Sequence, residues 1–311
     1  MQRFKNILLL AHGDADPAPV LQRAAHLAKA NDARLTVMDV IDPIDDARRL
    51  EERLGLDLTA TVRDRRLEAL HRLTAPWADN GVLIHTKVAT GTPFIEAIRA
   101  VRNNGFDLLI KAAEPPAGTL QRLFGSLDLH LLRKCPCPVW IDRPGMRESY
   151  RSVLAAVDPA GDADPVLDRT ILQLATSLGR REDAAVHVVH AWDLPGESML
   201  RDGMARIPLT ELERQLTIIR EHHEALVESL TAPFGMDRSS PAVHVAKGRP
   251  AEVIARVAGE TAADLIVMGT VGRTGIPGLI MGNTAEEILQ TTQLPVLAVK
   301  PAGFVSPIAP D

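Results

Sequence analysis

Apolar residues fall along this chain in two alternating kinds of run. Short β-rich stretches, such as Ile7-Leu8-Leu9-Leu10-Ala11 and Val153-Leu154-Ala155-Ala156-Val157, are separated by longer segments with helical spacing. Continuous apolar strands alternating with amphipathic helices mark βαβ units, whose parallel sheet is covered on both faces. The pattern predicts strands near 6–11, 34–41, 82–88, 107–111 and 138–141, and again near 151–157, 185–191, 242–246, 264–269 and 295–299. In the second half the intervening helices are expected over Pro165 to Leu178, Leu209 to Leu230, Ala251 to Gly259 and Asn283 to Gln290. Each half then carries five strands and four helices in a doubly wound α/β sheet. Its ligand crevice is expected beyond the carboxyl ends of the strands, where the strand order reverses.

The two halves are copies. An offset of 157 places Val88 on Val245, Gly91 on Gly248, Pro93 on Pro250, Asp107 on Asp264, Gly125 on Gly282 and Pro138 on Pro295 without a gap. Self-similarity at this length is domain duplication, since solenoid units run to about 20–50 residues. The expected domains are 1–145 and 150–300, with the linker near 143–150. Residues 301–311 hold three prolines and no periodicity, which predicts a loose tail.

Composition narrows the classes. A chain of 311 residues suits two domains, and 46% apolar with 24% charged residues suits globular ones. The formal charge of −5 supplies no basic field for nucleic acid. The apolar run after Met1 is too short for a signal peptide or a membrane span, so a cytoplasmic protein away from the membrane is expected. Cys135 and Cys137 flank Pro136 without the CxxC spacing of a redox or zinc motif, and read as small apolar residues at a strand entrance.

The candidate chemistry lies after the fourth strand of the second copy, in Met268-Gly269-Thr270-Val271-Gly272-Arg273-Thr274-Gly275, continuing to Gly282-Asn283-Thr284. A strand, a glycine-rich loop and a helix start together suit an anion: glycines let backbone N–H groups approach, and the helix N-terminus adds donors and a favourable dipole. Neither GxGxxG nor GxxxxGK[ST] is present. The spacing Gly269-x2-Gly272-x9-Gly282, with Val245-x2-Gly248-x-Pro250 and Asp264-Leu-Ile-Val-Met-Gly269, resembles the universal stress protein family, in its bacterial form with two such domains in one chain. That resemblance implies an adenine nucleotide alpha hydrolase-like fold with strand order 3-2-1-4-5 in each copy. It also implies ATP or AMP in the second copy, with Mg²⁺ carried on the phosphates.

By the same resemblance, Asp158 accepts from the adenine amino group and Val157 and Ala191 lie beside the base. Met268, Gly269, Gly272, Arg273, Gly282, Asn283 and Thr284 are the other nucleotide-site residues it implies, with the part played by the Thr284 hydroxyl left open and a solvated loop arginine the plainer reading of Arg273. Asn283 departs from the family's Ser or Thr, but its amide can donate to a phosphate oxygen. Relatives commonly dimerise through the last strand, so Val139 to Ile141 and Val296 to Val299 are expected to pair within one chain, and a further homodimer is plausible.

The first copy serves as an internal control. It has Ala112 for Gly269, Pro115 for Gly272, Ser126 for Asn283 and His12 for Asp158, so its site is expected to be degenerate. Ser126 reads as a helix N-cap. No GxSxG or HExxH occurs, and Glu221-His222-His223-Glu224 reads as a solvated helix face. His187 and His190, three apart in a strand, are expected on opposite faces. With no acid in the loop before Glu286 and Glu287, hydrolysis is expected to be slow or negligible. Three functions stay open: a stress-response regulator whose nucleotide occupancy alters dimerisation or a partner surface, a slow ATPase or adenylyl-transfer enzyme, and a nucleotide-free scaffold or module for apolar ligands.

Overall fold

The structure, a computed structural model, describes residues 4–13, 15–43, 55, 57–114, 124–143, 149–160, 165–201, 208–270 and 281–310. Gly272, Arg273 and Pro115 lie outside the described residues, as does most of the expected linker. In chain order the first copy forms β1 (Asn6–Leu10), α1 (Ala18–Asn31), β2 (Arg34–Ile41), α2 (Leu58–Asp79), β3 (Ile84–Thr90), α3 (Pro93–Asn104), β4 (Leu108–Ala112), α4 (Ser126–Lys134) and β5 (Val139–Asp142). The second forms β6 (Ser152–Ala156), α5 (Pro165–Glu182), β7 (Ala185–Trp192), α6 (Glu197–Arg201), α7 (Leu209–Thr231), β8 (Val243–Lys247), α8 (Pro250–Glu260), β9 (Leu265–Gly269), α9 (Asn283–Thr291) and β10 (Val296–Val299). The short helix α6 and the 3-10 turn Ala232–Phe234 are described helices of the second copy that the periodicity did not predict.

Contacts divide the chain into two compact units, Met1–Glu148 with Pro295–Asp311, and Ser149–Leu294. In the first unit the strands run β3-β2-β1-β4-β5, all parallel. This is the expected 3-2-1-4-5 order. The last strand of the second copy joins this unit: β10 lies antiparallel to β5, with Val296 opposite Ile141, Leu297 opposite Trp140 and Ala298 opposite Val139. The second unit keeps the parallel order β9-β6-β7-β8. Continuous apolar sequence has the expected consequence, because every residue of β4, β5, β6 and β10 is buried.

The repeated polar residues hold the sheets in register. Asp107, just before β4, accepts from Lys5 N (2.7 Å) and Asn6 N (3.1 Å) at the start of β1. Asp264 does the same for Arg151 N (2.6 Å) and Ser152 N (3.1 Å) at the start of β6. These aspartates tie two strand entrances together, which removes them from consideration as chemistry. The repeated Gly-x-Pro has a backbone cause. Gly91 and Gly248 sit at φ of +146° and +140°, values that side chains resist, and Pro93 and Pro250 then open α3 and α8 with a preset φ.

Two expectations are corrected here. The tail is anchored rather than loose: Lys300 Nζ donates to Leu132 O (2.7 Å) at the end of α4 and lies 4.7 Å from the Phe304 ring centre. Further along, Ser306 is buried and the Arg102 guanidinium donates to Ile308 O. Lys300, just ahead of the tail, thus meets the C-terminal carbonyls of a helix, which attract cations, and Phe304 of the tail lies against it. Ser126 is not the cap of α4. Gly125 is, and the Asp128 carboxylate closes that first turn by accepting from Gly125 N (3.3 Å).

Candidate functional site

The second unit gathers the expected residues at the carboxyl ends of three adjacent strands. Pairing of Ala156 with Val189 on one side and with Met268 on the other sets Val157 and Asp158, which follow β6, between Ala191 of β7 and Gly269 of β9. Here β6 is the strand at which the order reverses, the place where open α/β sheets form their crevice. Gly282 N donates to Thr270 O (2.9 Å), so Gly282, Asn283 and Thr284 are tied to the end of β9. Eight of the ten expected residues are therefore brought together. The other two, Gly272 and Arg273, belong to the loop outside the described residues.

Gly269 has a packing reason to be glycine. A Cβ there would stand 3.1 Å from Leu167 Cδ2 and 3.8 Å from Ile171 Cδ1, so α5 lies directly on the backbone at the end of β9. The start of α5 also holds Asp158 in place, because the buried Asp168 carboxylate accepts from Asp158 N (3.0 Å). The Asp158 carboxylate itself is 40% exposed, which leaves it reachable from the crevice.

Four contributors escaped the sequence reading: Asp168, His190, Trp192 and His223. His190 is buried, with Nδ1 3.1 Å from Val157 O and 3.9 Å from Asp158 Oδ1, and Nε2 2.8 Å from His223 Nδ1. A carbonyl oxygen only accepts, so in the neutral ring Nδ1 carries the proton, and Nε2 then accepts from His223. His223 stacks on His190 and on Trp192, with ring centres 5.0 and 5.8 Å away. The expectation of a solvated face over residues 221–224 is thus half corrected. Neighbouring helical residues point about 100° apart, so His222 stays exposed while His223 turns in towards β7. His187 faces the other way, 3.2 Å from His244 of β8, as the strand period requires.

The first unit repeats this corner with the partners exchanged. His12 follows β1 and Asp39 lies in β2, with Nδ1 and Oδ1 3.4 Å apart. The Asp39 carboxylate raises the His12 pKa above its ordinary value, chiefly through this hydrogen bond and against the effect of burial. In the second unit the acid, Asp158, follows the first strand and the histidine, His190, lies in the second. The signal was present in the sequence but hidden, because this corner is out of step with the offset of 157.

Among the described residues, no helix is long and apolar enough to cross a membrane, and no cluster of three His, Cys, Asp or Glu side chains could hold a metal ion. Glu287, one of the two nearest acids to the loop, is held by Arg249 at 3.2 Å. A separate apolar cavity of about 360 Å³ lies between α8 and α9, lined by Ile254, Ala258, Ile266, Ile288 and Leu294 among others, with no charged side chain.

The duplicated, doubly wound α/β module has the adenine nucleotide alpha hydrolase-like fold. The universal stress protein family model matches residues 3–143 and again 149–300, and the chain belongs to that family. It is 29% identical to universal stress protein E of Escherichia coli K12 over 324 residues, covering 100% of this chain and 98% of the relative. It is 28% identical to a universal stress protein E homolog of Haemophilus influenzae, over 96% of this chain and 98% of that one. Among solved structures, a putative universal stress protein from Pseudomonas aeruginosa UCBPP-PA14 superposes with a TM-score of 0.72 at 24% identity, covering 96% of this chain and 94% of that one.

Proposed function

We propose that this universal stress protein binds an adenine nucleotide, ATP or AMP, in its C-terminal copy, and that occupancy of the site is the signal it transmits. One observation carries the reading. Asp158, an acceptor with no competing donor, directly follows the strand beside the one that ends in the closely packed Gly269 and leads to the Gly282-Asn283-Thr284 helix start. The base end and the phosphate end of a nucleotide both find suitable chemistry there. Asn283 and Thr284 supply a side-chain amide and a hydroxyl for phosphate oxygens, which bring their own Mg²⁺.

The test is a titration of the full chain with ATP and GTP, followed by melting temperature and calorimetry. ATP is expected to bind the wild type better than GTP, because guanine offers an oxygen where adenine offers an amino group. Asp158→Ala is expected to weaken ATP by roughly 10- to 100-fold, the worth of a hydrogen bond to a charged group, and to erase the preference. A wild type whose melting ignores ATP, or an Asp158→Ala chain that binds unchanged, overturns the reading. Sedimentation with and without ATP reads whether occupancy alters a homodimer.

The apolar cavity between α8 and α9 supports a second reading, a carrier of a small apolar molecule. Native mass spectrometry of the purified chain separates the two by the mass of whatever is bound.

A further inference from the structure

In the first copy, the helix start that corresponds to Gly282-Asn283-Thr284 is already held by the chain itself. Lys111, fully buried in β4, donates from Nζ to Asp128 Oδ1 (2.9 Å) and to Ala112 O (2.8 Å). The other oxygen of Asp128 accepts from Glu114 N (3.0 Å), which fixes Glu114 at the mouth of the crevice. The Glu114 carboxyl lies across Gly125, so that a Cβ on that glycine would fall on the carboxyl group. It also takes a hydrogen bond from Leu127 N–H in the opening turn of α4, and His12 after β1 adds attraction. An anion seated on the first N–H groups of a helix is in the position that the helix dipole favours for a phosphate.

We propose that Glu114 is a tethered anion that closes the N-terminal crevice from within, standing where a ligand's phosphate would stand. The first copy is therefore self-occupied, and the loss of Gly269 and Gly272 equivalents is only part of why it differs from the second. At the offset of 157, Glu114, Lys111 and Asp128 become Val271, Met268 and Ala285, none of which carries a charge. The second copy has kept the glycine at the helix start, Gly282 for Gly125, and dispensed with all three members of the plug. Because the carboxylate is attached to the chain and its backbone is held by Asp128, it meets the helix start without the loss of translational freedom that a free phosphate must bear. Burial and the nearby Asp128 charge push the Glu114 carboxyl above its usual range, against the opposing pull of Lys111, the Leu127 N–H and His12.

The experiment compares full-length wild type with Glu114→Ala and Glu114→Gln, using inorganic phosphate and then pyrophosphate as probes, read by ³¹P NMR and calorimetry. Glu114→Ala is expected to bind one more equivalent per chain than wild type, with a melting temperature that rises with phosphate. Glu114→Gln, which fills the same space, is expected to gain none. Counting the gain against wild type isolates the first copy, whatever the second one binds. A folded Glu114→Ala chain that gains no equivalent overturns the proposal, as does a gain in Glu114→Gln equal to that of Glu114→Ala. If Glu114→Ala does not fold in dilute buffer, recovery of native circular dichroism in phosphate supports the proposal and the lack of recovery overturns it.

Discussion

Replacing Asp128 tests how the first copy is held together. Lys111 and Asp128 form an ion pair of 2.9 Å with both side chains essentially out of water, and the second copy has Met268 and Ala285 in their place. Removing the acid alone leaves a buried ammonium with only the Ala112 carbonyl, and breaking such a pair costs about 3–5 kcal/mol. The same substitution also strips an acceptor from Gly125 N and Glu114 N, worth about 1 kcal/mol in the manner of a lost cap. Asp128→Ala is therefore expected to destabilise the first unit by roughly 4–6 kcal/mol.

The double variant Lys111→Met with Asp128→Ala imports the apolar solution of the second copy. It removes the stranded charge and keeps only the cap loss, so its expected cost is about 1–2 kcal/mol. Urea denaturation should then show the double variant to be more stable than Asp128→Ala by about 3 kcal/mol, although it carries one substitution more. Differential scanning calorimetry reads the same quantity as about 2–4 °C per kcal/mol for a unit of this size. Equal destabilisation by Asp128→Ala and by the double variant would refute the reasoning, because it would mean that the buried ammonium is not what costs the energy.

Asp39 raises the pKa of His12 in the folded chain above the ordinary 6.5. The stability this pair supplies is therefore fully present below that value and lost as pH rises through the raised one. The melting-temperature gap between wild type and His12→Gln is expected to be widest below pH 6.5 and to narrow as pH rises above it. A gap independent of pH would show that the pair contributes nothing through protonation. At Gly269, any side chain must displace Leu167. Gly269→Val is expected to cost about 1–3 kcal/mol and to be partly restored by Leu167→Ala, as read by urea denaturation. Absence of that rescue would mean that Leu167 is not the obstacle.

Apolar runs and their spacing were enough to locate all ten described strands and the parallel architecture, because a strand buried on both faces is mostly apolar and admits a charge such as Lys111 only where a buried partner holds it. Duplication was legible for the same reason: Asp107 and Asp264, Gly91 and Gly248, Pro93 and Pro250 each answer a local backbone need that recurs in each copy. Most of the candidate site could also be read, since glycines and a strand-end carboxylate are local signals. What distance in sequence hid, only packing decided. His190 and His223 meet from a strand and a helix 33 residues apart, and Asp168 reaches Asp158 across the turn into α5. Position in the alignment made the first copy look eroded, with Ala112 and Pro115 as its marks. The folded chain instead places a buried Lys111–Asp128 pair and the Glu114 carboxyl at that helix start, because burial forces charges far apart in sequence to find one another.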